Sequence, residues 1–178
     1  MALLPPIFQQ NSAYSARVTR WLVSMVGSAG VVGNGYEVTQ RGAGANMSVD
    51  VAAGQAFVQG TDQTNQGRYL CVSEQIENLT ISASDPSNPR IDLVCIVVKD
   101  PNAGGAAGDE AVVEIVEGTP SGAPSAPAAP ASSLVIAEVA VGAGVTTILN
   151  ANITDRRGAR SAATLSPPTL HPFFLMGA

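Results

Sequence analysis

The stretch Asn88-Pro-Arg-Ile-Asp-Leu-Val-Cys-Ile-Val-Val98 decides how this chain is read. Past Asp92 it is apolar at every position, so both of its faces must be covered. A half-buried strand alternates instead. The stretch therefore reads as a central strand buried on two sides. Arg90 and Asp92 stand two apart at its mouth, which puts them on one face of that strand.

Working outward, "AVVEIVE" (Ala111 to Glu117) reads as the antiparallel partner, joined through the Gly/Ala-rich loop "DPNAGGAAGDE". A Thr119 to Ser133 segment follows, with prolines at 120, 124, 127 and 130. Its spacing imposes an extended, polyproline-like path and reads as a stiff linker. "LVIAEVAV" and "VTTIL" read as two more strands, and "ITDRR" ends the globular part. Upstream, "MSVDVAA" alternates cleanly, with Met47, Val49 and Val51 on one side. "YEVTQ", "QAFVQ", Arg68 to Val72 and Asn78 to Ala83 supply further short strands between glycine turns.

One helix is expected, over Ser12 to Val26, capped by Asn11 or Ser12 and ended by Gly27 in a left-handed turn. Tyr14, Val18, Trp21, Leu22 and Met25 form its apolar stripe at helical spacing, while Arg17, Arg20 and Ser24 face elsewhere. The stripe carries the single tryptophan of the chain, so the helix must dock on something. Both ends are apolar and braced by proline: Leu4, Pro5, Pro6, Ile7 and Phe8 at one, Pro172, Phe173, Phe174, Leu175 and Met176 at the other. Free termini are usually polar, so these read as arms that lie across a neighbouring subunit. The expected fold is all-β and antiparallel, a sandwich or barrel-like body with one N-terminal amphipathic helix and extended terminal arms. Its expected parts are arm and helix (1–30), β domain (31–118), linker (119–133), completing strands (134–160) and C-terminal arm (161–178).

Composition narrows function. Of 178 residues only 13% are charged, against about 25% in ordinary soluble domains. A net charge of −5, with Lys99 the one lysine, argues against a nucleic-acid grip, which needs clustered cations. No run is long enough to span a bilayer, and "MALLPPIFQQ" lacks the basic region of a signal peptide. The triplets at Asn46, Asn78 and Asn152 would matter only in a secretory pathway. The chain is thus expected to be made and assembled in the cytoplasm, without membrane partners.

Chemistry is sparse. Cys71 and Cys95 lie in apolar runs and read as reduced core thiols; spacing alone does not decide a disulfide. No CxxC or His-Cys cluster suggests zinc, and Walker and GxGxxG loops are missing. The one histidine, His171, stands far from any nucleophile setting, and GxSxG is absent. Glu114, Glu117 and Glu138 are carboxylate candidates, but they alternate with apolar residues like a solvated strand face. No catalytic, cofactor-binding or metal residue is assigned, and no enzyme is expected. Arg90 and Asp92, with Asp155 and Arg156 where the last strand finishes, read as a mutually neutralising structural clasp, since a partly buried charge needs a partner. A site would instead leave one member facing a cleft.

The order of these segments resembles a known family. "NPRIDLV", an acidic strand ending in "EGTP", the Ala/Pro linker, "LVIAEVAVGAGVTTI" and "ITDRR" follow one another as in minor tail or baseplate proteins of phages infecting actinobacteria. The upstream run "GVVGNGYEVTQRGAGANMSVDVAAGQAFVQG", with its VxxGxAxVxG turn, is similar to the same family's N-terminal region. The likeness covers about Tyr14 to Arg157. It implies a non-catalytic virion component at the tail tip. Many relatives continue into a larger C-terminal region, whereas here a short apolar arm follows "ITDRR"; this favours an adaptor over direct host recognition. The resulting expectation is a homo-oligomer, trimer or hexamer, that joins other phage tail proteins. Its expected subunit contacts are Leu4, Ile7, Phe8, Tyr14, Val18, Trp21, Leu22, Met25, Phe173, Phe174 and Leu175. Two rival readings are a binding module for host surface polysaccharide, through loops 61–67 or 102–109, and a capsid decoration protein. Only 4% of the residues are aromatic, which weighs against sugar stacking.

Overall fold

The computed structural model describes residues 15–158. One helix, α1 (Ala16–Val26), precedes ten strands: β1 (Gly30–Val32), β2 (Val38–Gln40), β3 (Ser48–Val51), β4 (Gly54–Gln59), β5 (Arg68–Ser73), β6 (Glu77–Thr80), β7 (Arg90–Lys99), β8 (Glu110–Val116), β9 (Ser133–Val141) and β10 (Ile153–Asp155). They form three antiparallel sheets, ordered β1-β4-β5, β2-β3-β6 and β10-β9-β7-β8. No sheet closes on itself. All three contribute to one core, in which Val31, Val49, Val51, Val58, Val94, Ile96, Ile136 and Val139 are buried.

The doubly apolar run is β7, between β8 and β9. Val94, Ile96 and Val98 face the shared core. Leu93, Cys95 and Val97 face the other way, into a second cluster with Val112, Val116 and Val135. A bulge shifts the register, with Cys95 opposite Val135 and Val94 opposite Ala137. Ile136 is the extra residue, and the local kink turns both Ile136 and Ala137 into the core.

The second cluster is covered by the segment expected to be a linker. Strands β8 and β9 flank β7 and both run antiparallel to it, so they are parallel to each other. The chain must therefore return the full length of β7, roughly 33 Å, between them. Residues 117–132 make that return. At one end Gly118 N donates to Asp92 Oδ1 (2.9 Å) and Ser121 N to the Pro89 carbonyl (3.0 Å). At the other, Val98 N donates to the Ser132 carbonyl (3.0 Å). Pro124, Pro127 and Pro130 are half-buried while the residues between them are exposed. That period of three is the period of a polyproline helix, which lays one edge on the sheet. Beside it, Ala126, Pro127 and Ala129 border the same hollow as Leu93 and Val135. The segment is a crossover inside one sheet, and its prolines need no partner for an amide hydrogen they lack.

Other expectations are corrected. "VTTIL" is not a strand: residues 142–149 form a turn and an extended loop, from which Ile148 alone is fully buried. The last strand is β10 instead. Gly27 does not turn left-handed; its φ of 162° is extended backbone. The expected cap residues Asn11 and Ser12, and both arms, lie outside the described residues.

Candidate functional site

Two places in the fold concentrate polar chemistry, and a third concentrates exposed apolar surface.

The first is the mouth of β7. Arg90 and Asp92 extend the core-facing row of Val94, Ile96 and Val98. They are 2% and 0% exposed, and Arg90 Nε lies 2.9 Å from Asp92 Oδ1. The guanidinium also donates from Nη1 to the Ala83 carbonyl (2.8 Å) and from Nη2 to the Ser82 carbonyl (2.7 Å). Every nitrogen of the arginine thus has an acceptor, and the carboxylate takes the Gly118 amide as well. The buried carboxylate and the buried guanidinium neutralise each other inside the fold, which a buried charge requires. Asp155 and Arg156 do not join it, contrary to the sequence expectation. Strand β10 is separated from β7 by β9, with Asp155 level with Val94 rather than Arg90, and its charges find nearer partners. Asp155 Oδ2 takes Arg157 Nη2 (2.7 Å), and Arg156 Nη2 donates to Glu138 Oε2 (2.8 Å). Arg157 further donates to the carbonyls of Asn34 and Gly35, each at 3.0 Å. The Arg157 hydrogen bonds hold the Asp155 carboxyl below its ordinary range.

The second is a chain of hydrogen bonds tying loop 61–67, β5, the end of β7 and α1. Ser132 Oγ donates to Asp62 Oδ2. Buried Gln66 donates from Nε2 to Asp62 Oδ2 (3.3 Å) and to Tyr69 Oη (2.8 Å). Tyr69 Oη donates to Asp100 Oδ2 (2.7 Å), and Arg20 Nη1 reaches the same oxygen at 3.4 Å. Burial, and then the bond to Asp100, push the Tyr69 hydroxyl up from its ordinary pKa. The Arg20 guanidinium sits 4.9 Å from the Tyr69 ring centre, within cation–π range.

This chain explains how α1 is held, and it inverts the sequence expectation. Arg17, Arg20 and Ser24 were expected to face away; they face the body. Arg20 Nε donates to the Gln66 carbonyl (2.8 Å) and Arg17 Nε to the Asn65 carbonyl (3.1 Å). Arg68, from β5, donates to the Ser24 and Gly27 carbonyls (2.8 and 2.5 Å). It thereby caps the helix C-terminus with positive charge, where orphan carbonyls and the dipole favour it. Gly67 permits the approach: it has φ +86°, and a Cβ there would stand 2.7 Å from Arg20 Cβ and 2.9 Å from Arg20 C. Gly67→Ala is therefore expected to lift α1 off β5 while the sheets stay folded, read as faster amide exchange confined to residues 16–26.

The third place is what this docking leaves outside. Trp21 is 38% exposed, Leu22 39% and Met25 69%; Val18 is half-buried. Trp21 keeps its Nε1 bonded to the Asn65 carbonyl (2.7 Å) and Arg17 over its ring, so the indole is fixed against the body with the smaller part of its surface in solvent. Of the remaining expected contact residues, Leu4, Ile7, Phe8, Tyr14, Phe173, Phe174 and Leu175 lie outside the described residues. Beside α1 opens a cleft of about 820 Å³ lined by Arg17, Arg20, Gln63, Tyr69, Asp100 and Asn102 among others. It brings loops 61–67 and 102–109 together.

The sulfurs and carboxylates are engaged elsewhere. Cys71 and Cys95 are free and buried. Burial pushes both thiols to about 11, Glu114 adding to the effect at Cys95. A raised folded pKa means the fold favours the protonated thiol. This contribution to stability is whole below the unfolded thiol value near 9 and is lost as pH climbs towards about 11. Denaturant midpoints should accordingly fall between about pH 8 and pH 11, and a Cys71→Ala/Cys95→Ala variant should show less of that fall. Glu114 lies 3.3 Å from Lys99 Nζ, and Glu117 3.9 Å from Arg90 Nε. Among the described residues no group of three or more His, Cys, Asp or Glu is placed to hold a metal ion. His171 lies outside them. No described helix is long and apolar enough to cross a membrane.

No family model, curated protein or solved structure matches the chain.

Proposed function

We propose that this chain is a structural virion protein of a phage tail tip or baseplate, which assembles as a trimer or hexamer in the host cytoplasm and joins tail components to one another. The observation that carries the proposal is the orientation of α1: it is fastened through Arg17, Arg20 and the indole N–H of Trp21, and leaves Met25 and parts of Trp21 and Leu22 exposed. Burying one such side chain contributes about 1.5–3 kcal/mol, so an oily stripe held in water by a rigid polar attachment suits a surface that is covered in an assembly. The ordered series of segments from "NPRIDLV" to "ITDRR" supports the family side of the reading. We take the body as a sandwich, supported by the approach of β2 to β10 and of β6 to β8 at the two margins of their sheets.

Gold-tagged antibody against the chain, applied to tailed particles that contain it, is expected to mark the tail tip. Label on the head instead would establish a capsid decoration protein. Light scattering is expected to give a mass of three or six copies, and a monomer at all concentrations would defeat the assembly.

A second reading, recognition of host cell-wall polysaccharide, is favoured by one observation: the two loops suited to it meet at the cleft beside α1. Saturable binding of purified wall polysaccharide, abolished by Asn102→Ala with Gln63→Ala, would put this reading first.

A further inference from the structure

The turn between β1 and β2 contains a junction that the fold requires and that its own chemistry threatens. It reads Val32-Gly33-Asn34-Gly35-Tyr36. Gly33 has φ +60°, a left-handed conformation that glycine adopts without steric cost. Gly35 is fixed by packing. A Cβ there would stand 2.7 Å from Gly54 Cα and 3.2 Å from Gln55 N, main-chain atoms at the start of β4. The fold therefore keeps a glycine amide, with no side chain of its own to shield it, directly after Asn34. Asn34 is the one asparagine of the chain that glycine follows.

The local bonds leave the two reacting groups loose. Asn34 is exposed, and the atom through which the body holds it is its main-chain carbonyl, which accepts from Arg157 Nη1 at 3.0 Å. The Gly35 N–H meets the Val32 carbonyl only at 3.5 Å, beyond the ordinary range of such a bond.

We propose that Asn34-Gly35 is a site of covalent self-modification, at which Asn34 deamidates in the folded protein without an enzyme. Gly35 N gives its proton to solvent and attacks Asn34 Cγ. The new N–Cγ bond closes a succinimide, the Cγ–Nδ2 bond breaks, and the side-chain nitrogen leaves as ammonia with the proton that it needs taken from solvent. Water then opens the ring. Cleavage of the new N–Cγ bond leaves aspartate. Cleavage of the original bond from Gly35 N to the Asn34 carbonyl carbon leaves isoaspartate, whose chain runs through Cβ and Cγ. Water is consumed, ammonia is released, and nothing is oxidised or reduced. Both products put a new negative charge beside Arg157, which already holds Asp155. Isoaspartate also lengthens the main chain where Gly35 packs on Gly54.

Peptide mass mapping of the full-length protein, kept at mildly alkaline pH, tests this. The Asn34 peptide is expected to turn acidic about tenfold or more faster than those of Asn102 and Asn150, each followed by alanine. Isoaspartate, read by an isoaspartyl methyltransferase, is expected beside aspartate, because direct hydrolysis by water gives aspartate alone. Asn34→Gln is expected to stop the conversion with circular dichroism unchanged, since a larger ring closes far more slowly. The same protein unfolded in guanidinium chloride is the reference, and the folded rate is expected to lie within about tenfold of it. Conversion only in guanidinium chloride overturns the inference, because the fold then protects Asn34. Aspartate without isoaspartate overturns it too, as does a rate at Asn34 no faster than at Asn102 and Asn150, or undiminished conversion in Asn34→Gln.

Discussion

Replacing Arg90 with methionine is expected to lower the unfolding free energy by about 3–5 kcal/mol, measured by urea denaturation at neutral pH. The side chain volume is nearly kept, so the loss is electrostatic. Asp92, fully buried, would keep only the Gly118 amide as a partner, and the carbonyls of Ser82 and Ala83 would lose the donors that now satisfy them. Removing both charges is a different experiment. In Arg90→Met/Asp92→Leu no unpaired ion remains, and most of the lost stability should return. A loss under about 1 kcal/mol in the single variant would mean that water reaches the pair, as at surface bridges. An equal loss in both variants would mean that shape, not charge, is at stake.

The second large effect is expected at Gly118. An added Cβ would lie 2.1 Å from the Ile91 carbonyl oxygen and 2.9 Å from its carbon. Both are backbone atoms of the central strand and have no rotamer to escape into. Gly118→Ala must therefore raise the start of the crossover, stretching the amide bond to Asp92 and opening the cover over Leu93. A loss at the upper end of the usual 1–3 kcal/mol for overpacking, or beyond it, is expected. Gly122, in the same crossover, meets nothing within 4 Å. Gly122→Ala should be neutral or gain about 0.4–1 kcal/mol through the unfolded chain. Thermal unfolding of the two variants side by side separates a steric cause from a general intolerance of alanine. If both melt alike, the close approach of Gly118 to Ile91 is not what the crossover depends on.

Where side-chain pattern alone sets structure, the sequence could be read. The unbroken apolar run of β7 follows from burial on two faces, "MSVDV" yields β3 because alternation fits a pleated strand, and "QAFVQ" yields β4 as a short apolar run between Gly54 and Gly60, buried at Ala56, Phe57 and Val58. The pairing of Arg90 with Asp92 was visible for the same reason, as two charges at strand spacing. The orientation of α1 was not. Its arginines bind the carbonyls of Asn65 and Gln66, and Arg68 binds those of Ser24 and Gly27. Arg157 does the same at Asn34 and Gly35. Every residue carries a carbonyl, so no letter of the sequence marks which ones an arginine will find. An apolar stripe then looks like the docking face, although the polar face holds the helix. The contact of the 119–133 segment with the sheet was not legible for a related reason. Prolines announce an extended path, but only the strand order says whether that path leaves the sheet or crosses it. The period of three in the prolines, 124, 127 and 130, was the available hint that one edge of the segment would be covered.

The meeting of Val31 with Gly158 has a mechanical consequence. The route into the β body, through α1, and the route out of it lie side by side, bridged by the main-chain bond of Val31 to Gly158 and by Arg157 on the Asn34 and Gly35 carbonyls. Tension applied between those two routes would load these bonds first and bypass the long ladders of β7 with β8 and β9. A block loaded in this way is shielded from stretching: it yields first at its doorway and leaves its interior at rest.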